Sequence, residues 1–170
     1  MQGSLTFTRL NTPNARFVHI ESFGFPNDLD YQIQNLKKLI DQQPQIQQAN
    51  PFCSIFFFFN PNDEDFDDLE ALVGLEIIGH LELDESDPFH LIDLDRSHCY
   101  SFDLNPQTLK KELGQFYQKA LQVLINKGER VATTWRLRFS LEDSDQFLAF
   151  QNLRLEFFPD EGPIEGLPNS

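Results

Sequence analysis

The sequence predicts an α+β domain made of two similar halves, each a largely antiparallel sheet with a helix on one face. Three observations lead there. The chain has 170 residues, the size of one ordinary domain. Strand-like and helix-like stretches follow the order strands, helix, strand, strand, twice over. Short stretches also recur at nearly constant spacing. Phe17-Val18-His19-Ile20-Glu21 returns 72 positions on as Phe89-His90-Leu91-Ile92-Asp93, and Asn35-Leu36-Lys37-Lys38 returns 73 positions on as Thr108-Leu109-Lys110-Lys111. Residues 54–59 correspond in turn to 132–137. The expected domain covers 1–158, with one repeat over about 1–80 and a second over about 87–158, and 159–170, with its Pro and Gly, reads as a flexible tail.

In the first half, β-branched and aromatic runs mark strands at 5–10 and 17–22. A helix follows, capped by Asp28, with Ile33, Leu36, Leu39 and Ile40 as its apolar stripe and Pro44 just past its end. Residues 42–48 are a polar connection, and 53–59 and 73–78 are strands. In the second half, strands fall at 89–94 and 99–102. The second helix is the best signalled element. Asn105 is its N-cap, Pro106 its first residue and Gly128 its stop. Leu109, Leu113, Phe116, Tyr117, Ala120, Leu121 and Leu124 recur at three- and four-residue steps and so share the face that lies on the sheet. Strands at 131–139 and 150–157 complete the order.

Composition narrows the function. The apolar fraction is 40% with 18 Phe, enough for a core, but no run approaches the roughly 20 apolar residues of a membrane helix. No basic stretch followed by an apolar run opens the chain, and Cys53 and Cys99 are too far apart to suggest a disulfide framework, so a cytoplasmic protein with reduced cysteines is expected. A net charge of −14 repels phosphate backbones and argues against direct nucleic-acid binding; it suits cationic ligands or a basic protein partner, or serves solubility alone.

Several chemistries fail on spacing. The run Asp63, Glu64, Asp65, Asp67, Asp68, Glu70 has Asp68 where a calcium loop needs Gly and Gly74 where it needs Glu. His19, His80, His90 and His98 with the two Cys show no zinc spacing. His98 and Cys99 are strand neighbours and point to opposite faces, so they are not a base and its nucleophile. No phosphate-binding Gly loop or nucleophile elbow is present. The expectation is no metal, no cofactor and no catalytic residue.

Four segments carry a resemblance: 17–22 followed by Gly24, 55–61 before the acidic run, Val73-Gly74-Leu75-Glu76-Ile77, and the strand after Gly128. Through them the chain resembles the GyrI-like small-molecule-binding domain, shared by gyrase-inhibitor-like proteins and by effector-binding domains of bacterial transcription regulators. The resemblance implies a bacterial protein in which two strand-helix-strand-strand repeats are related by a pseudo-twofold axis, with a ligand cleft between the halves. In that family the strand after the second helix carries a Glu and, two residues on, a Tyr, which face the cleft and receive cationic ligands. Here those places fall near Arg136 and Arg138, so an anionic or neutral ligand is expected instead.

Alternation puts Trp135, Leu137 and Phe139 on one face of that strand and Thr134, Arg136 and Arg138 on the other. Trp135 reads either as core or as an aromatic wall of the cleft, and the Arg pair either as a solvated face or as a guanidinium fork for a planar carboxylate. Phe56 to Phe59 send aromatic rings to both faces of their strand, and the repeat assigns Phe56 and Phe58 to the cleft. The candidate ligand-binding set is therefore Phe56, Phe58, Trp135, Arg136 and Arg138. Three functions stay open: a stand-alone binder of a small organic molecule, a gyrase-inhibitor-like protein docking on a basic protein, and a cleft hydrolase using a carboxylate among Glu76, Glu142 and Glu156.

Overall fold

The structure is a computed structural model that describes residues 5–23, 29–58, 70–105, 112–140 and 151–159. Its elements in chain order are β1 Thr8–Thr12, β2 Ala15–Phe23, α1 Leu29–Asp41, β3 Gln47–Phe57, β4 Glu70–Ile78, β5 His90–Leu94, β6 Ser97–Asp103, α2 Leu113–Asn126, β7 Val131–Ser140 and β8 Gln151–Pro159. All eight expected strands are there, in order. The Asp28 cap, Pro106, the acidic run up to Asp68 and the segment beyond Pro159 lie outside the described residues.

Each helix buries most of the stripe its sequence spells; Phe116 and Leu121 are only partly buried, and Leu109 lies outside the described residues. On α1, Ile33, Leu36, Leu39 and Ile40 are buried, and on α2 Leu113, Tyr117, Ala120 and Leu124 are. Gly128 stops α2 with φ +81°, a left-handed conformation that favours glycine. There the Glu129 N–H donates to the Leu124 carbonyl at 2.9 Å and the Gly128 N–H to the Ile125 carbonyl at 3.0 Å, which satisfies two of the carbonyls a helix end leaves open. Among the described residues no helix is long and apolar enough to cross a membrane.

The strands form one antiparallel sheet in the order β1-β6-β8-β7-β3-β4-β2-β5. Connectivity forces it to curl. Only Pro13 and Asn14 join β1 to β2, which stand first and seventh in the sheet. Strands about 4.8 Å apart would put these two roughly 29 Å from each other in a flat sheet, whereas the three steps from Thr12 to Ala15 reach roughly 11 Å. The β5–β6 link over Asp95 and Arg96 makes the mirror-image crossing. The two links meet where the Arg96 N–H donates to Asn14 Oδ1 at 2.6 Å.

Pairing registers give the repeat its spacing. Val18 faces Leu75 in the first half and Tyr100 faces Phe157 in the second, each partner 82 positions on. Ile55 faces Val73, and Leu137 faces Leu155, at the same interval. The edge strands obey it too, since Thr12 faces Ser97 and Ala15 faces Leu94. The halves thus meet at β3–β7, where Ile55 faces its own counterpart, Leu137. This corrects the 72- and 73-residue spacing and the match of residues 54–59 to 132–137, since Ile55 is equivalent to Leu137 and not to residue 133. The look-alike segments around Phe17 and Phe89 belong to β2 and β5, which are antiparallel neighbours in the sheet rather than equivalents.

Both helices cover the same side. Their stripes join Val18, Ile55, Phe57, Val73, Leu75, Phe102, Trp135, Leu137, Leu155 and Phe157 in the main core. A second, smaller cluster of Phe17, Phe56, Leu72, Leu94, Cys99 and Phe158 lies on the helix-free face. Leu10 of β1 and Ala15 of β2 also pack against it, from strands far apart in the sheet order, so the curl closes on this side.

Candidate functional site

The helix-free face is where polar groups gather. An ionised side chain inside an apolar strand must be paired, because burying a lone charge is costly. Three strands meet that demand across the middle of the sheet. Arg136 on β7 donates from Nε to Glu156 Oε1 on the adjacent β8 at 2.7 Å, with both residues at most 3% exposed. Arg138, one strand alternation further, lies 3.6 Å through Nη2 from Glu76 Oε2 on β4 and is partly accessible. Ser54 on β3 faces Arg138 and Ser101 on β6 faces Glu156, so the network spans the boundary between the halves.

Aromatic rings frame the charges. The Arg136 guanidinium carbon is 5.6 Å from the Phe56 ring centroid and 5.0 Å from that of Phe158, and the Arg138 carbon is 4.5 Å from that of Phe52, all within cation–π range. Phe58 packs at the margin of the same cluster.

Electrostatics fix the charge states. Burial alone would lower the pKa of Arg136, but Glu156, Cys99 and Glu76 outweigh it and the value is raised. Burial would raise Glu156, yet Arg136 and Arg138 hold it below the usual carboxylate range. Arg138, penalised by burial and by Arg136, is lowered. Cys99 beside the pair is pushed up to about 12, by burial and then by Glu156, so it is a thiol rather than a nucleophile.

Pairing leaves positions open. A guanidinium and a carboxylate can share two parallel bonds; Arg136 and Glu156 make one, and among the described residues Arg136 Nη2, Arg138 Nε and Glu156 Oε2 have no hydrogen-bond partner. Both ring nitrogens of His19 are likewise open. That ring is 4% exposed, stacked 5.6 Å from Phe17, with its pKa lowered to about 4 by burial and then by His90.

Of the residues expected from sequence, Phe56, Arg136 and Arg138 share this face and Phe58 borders it. Trp135 does not. It lies fully buried on the helix side, stacked 4.4 Å from Phe57 and tilted against Tyr117 at 5.2 Å, because strand alternation turns it away from Arg136. The face adds His19 and Ser101, which sequence reasoning did not place in the cleft, and it holds Glu76 and Glu156, which sequence reasoning offered only as alternative carboxylates of a cleft hydrolase. One signal for the carboxylates was available: Glu76 interrupts the apolar run of β4, and Glu156, two residues after Arg154, interrupts that of β8. Glu142 lies outside the described residues. No cluster of three or more metal-ligating side chains occurs among the described residues.

No family model matches the sequence, and no curated protein does. Solved structures match over nearly the whole chain. EcmrR in complex with DNA aligns with a TM-score of 0.62 at 8% identity over 91% of this chain, which spans 57% of the EcmrR chain. The EcmrR C-terminal domain alone gives 0.59 at 8% identity, covering 96% of this chain and 99% of that one. A hydrolase from Listeria innocua gives 0.55 at 11% identity, over 93% of both chains. Likeness at such identities establishes the fold, and it is the fold that the GyrI-like resemblance implied.

Proposed function

We propose that this domain binds a small organic molecule on the helix-free face of its sheet, between Phe56, Phe58, Arg136 and Arg138. The observation that carries the reading is Arg138, a partly accessible guanidinium 4.5 Å from the Phe52 ring and beside the buried Arg136–Glu156 pair. A reachable cation among aromatic rings favours a ligand with an apolar body and a polar group. Trp135 supports the sheet from behind and makes no contact with the ligand.

Two other readings have less support. The acidic run proposed to meet a basic protein lies, Glu70 apart, outside the described residues, which leaves that reading resting on net charge. The L. innocua neighbour is described as a hydrolase, and Glu76 and Glu156 stand where a cleft carboxylate would act. Each is held by an arginine, and Glu156 is kept anionic, which suits electrostatic support better than proton transfer.

A thermal-shift screen of anionic, neutral and cationic aromatics tests the proposal. A ligand that binds only the folded state adds about 2.7 kcal/mol at a hundredfold excess over its Kd. The expected hit loses affinity at least tenfold in Arg138→Met and keeps it in Trp135→Phe. A screen in which no compound raises Tm, or in which Trp135→Phe alone abolishes the shift, overturns the assignment.

A further inference from the structure

The helix-free face carries a row of residues that runs straight across six strands. Pairing registers align Asp103 on β6, Arg154 on β8, Arg138 on β7, Ser54 on β3, Gly74 on β4 and His19 on β2, each directly opposite the next. None of the six has an apolar side chain. With His19 neutral, its pKa lowered to about 4, the row holds two cations against one anion, in a chain whose net charge is −14.

At the centre of the row Arg138 and Arg154 face each other. Side chains so placed have Cβ atoms about 5 Å apart, and like charges there repel. Each guanidinium turns away from the other towards an acid: Arg154 Nε lies 3.7 Å from Asp103 Oδ1, and Arg138 Nη2 lies 3.6 Å from Glu76 Oε2. Both separations are too long for a hydrogen bond. Asp103 is 92% exposed, so solvent screens its hold on Arg154, whose other contact is from Nη1 to Ser101 Oγ at 3.3 Å. Both arginines can be reached from outside. Their side chains are 19% exposed for Arg138 and 36% for Arg154, whereas the Arg136–Glu156 pair beside them is sealed.

Folding thus leaves two accessible guanidinium groups as neighbours, neither with a tight counterion. A carboxylate between them relieves their repulsion and makes the charge-assisted hydrogen bonds that Asp103 and Glu76 leave unmade. An amidinium would add a third like charge. A neutral amide offers its carbonyl as acceptor and leaves the repulsion in place. Glu156 does not compete for the seat, since it already holds Arg136 at 2.7 Å. Phe52 on β3, half-buried and 4.5 Å from the Arg138 guanidinium carbon, supplies an apolar neighbour for the body of the ligand.

We infer that the ligand of this face is an aromatic carboxylate, its anion seated between Arg138 and Arg154 and its ring beside Phe52. The inference rests on the small-molecule reading above. Of the anionic and neutral ligands that the sequence left open, it selects the anionic, and it adds Arg154 as the residue that sets the preference. It asks nothing of the buried Arg136–Glu156 pair.

The experiment is calorimetric titration of the wild-type chain at neutral pH and low ionic strength with 2-naphthoate, 2-naphthamide and 2-naphthamidine, three compounds of one shape and three charges. The naphthoate binds at least about tenfold more tightly than the amide, the amidine binds most weakly, and added salt weakens the naphthoate alone. Arg154→Gln, at an accessible side chain, keeps the wild-type urea midpoint, lowers naphthoate affinity about tenfold and leaves the amide unchanged, while Arg154→Lys recovers part of the loss. Binding of the amide or amidine as tight as that of the naphthoate overturns the inference and leaves the small-molecule reading intact. So does naphthoate affinity that Arg154→Gln does not change. Failure of all three to bind also overturns it, and the wider thermal-shift screen then decides the small-molecule reading separately.

Discussion

Of the two halves of the sheet, the first places Phe17, His19 and Gly74 on the helix-free face, and the second places Cys99, Ser101 and Glu156 at the equivalent positions 82 residues on. At positions 17 and 74 the exchange moves the bulk from one strand to its neighbour. Where the first half has a large ring at 17 it has no side chain at 74; where the second has a small thiol at 99 it has a long carboxylate at 156. A Cβ at Gly74 would collide with the Val18 carbonyl oxygen and stand 2.8 Å from Phe17 Cζ. Cys99 and Ser101 instead leave room for Glu156 to reach Arg136. Backbone pseudo-symmetry therefore coexists with a division of labour, an apolar wall on one side and a charged pair on the other.

Four measurements break or sharpen that comparison. Glu156→Ala should cost the most, about 3–5 kcal/mol in urea denaturation, because it leaves the Arg136 charge buried without its partner. A loss under about 1 kcal/mol would mean that solvent reaches Arg136.

Next comes pH. His19 has a folded-state pKa of about 4, below its ordinary 6.5. The unfolded chain therefore takes up a proton first as pH falls. Stability is complete above 6.5 and declines towards 4, by at most about 3 kcal/mol. His19→Ser, which copies the residue at the equivalent position 101, should flatten this part of the pH–stability curve; an unchanged curve would place the titrating group elsewhere.

Gly74→Ala should cost about 1–3 kcal/mol by forcing Phe17 and the Val18 backbone apart. A neutral effect would show that the first half has slack. Smallest is Arg138→Met, at about 1 kcal/mol, since this side chain is partly accessible and its ion pair is longer. A loss approaching that of Glu156→Ala would make the two ion pairs equals rather than a buried pair and a rim pair.

Much of the fold was legible. Alternating and β-branched runs located all eight strands, and the stripe ending at Gly128 located α2, because both signals arise from residues close in sequence. Alternation also separated Arg136 from Trp135 correctly. Including Trp135 in the cleft was an error of weighing: an indole between Phe57 and Tyr117 is core. The repeat was visible but its spacing was not, since the equivalent positions of the two halves hold Phe17 against Cys99 and Gly74 against Glu156. What matched instead were generic apolar patterns shared by any two strands on one core. The carboxylate partners were hidden because Glu156 follows Arg136 by 20 residues and Glu76 precedes Arg138 by 62, and only strand order makes them meet.

The two crossing links have a consequence for biosynthesis. β1 finishes the edge of the second half and β5 finishes that of the first, so neither half is closed by its own residues. On a ribosome β1 has no partner until β6 is made, and β3 lacks its central neighbour until β7 follows. Pairings this distant delay folding. The first half must stay unfinished while it waits, its strand edges exposed to chaperones until the second half emerges.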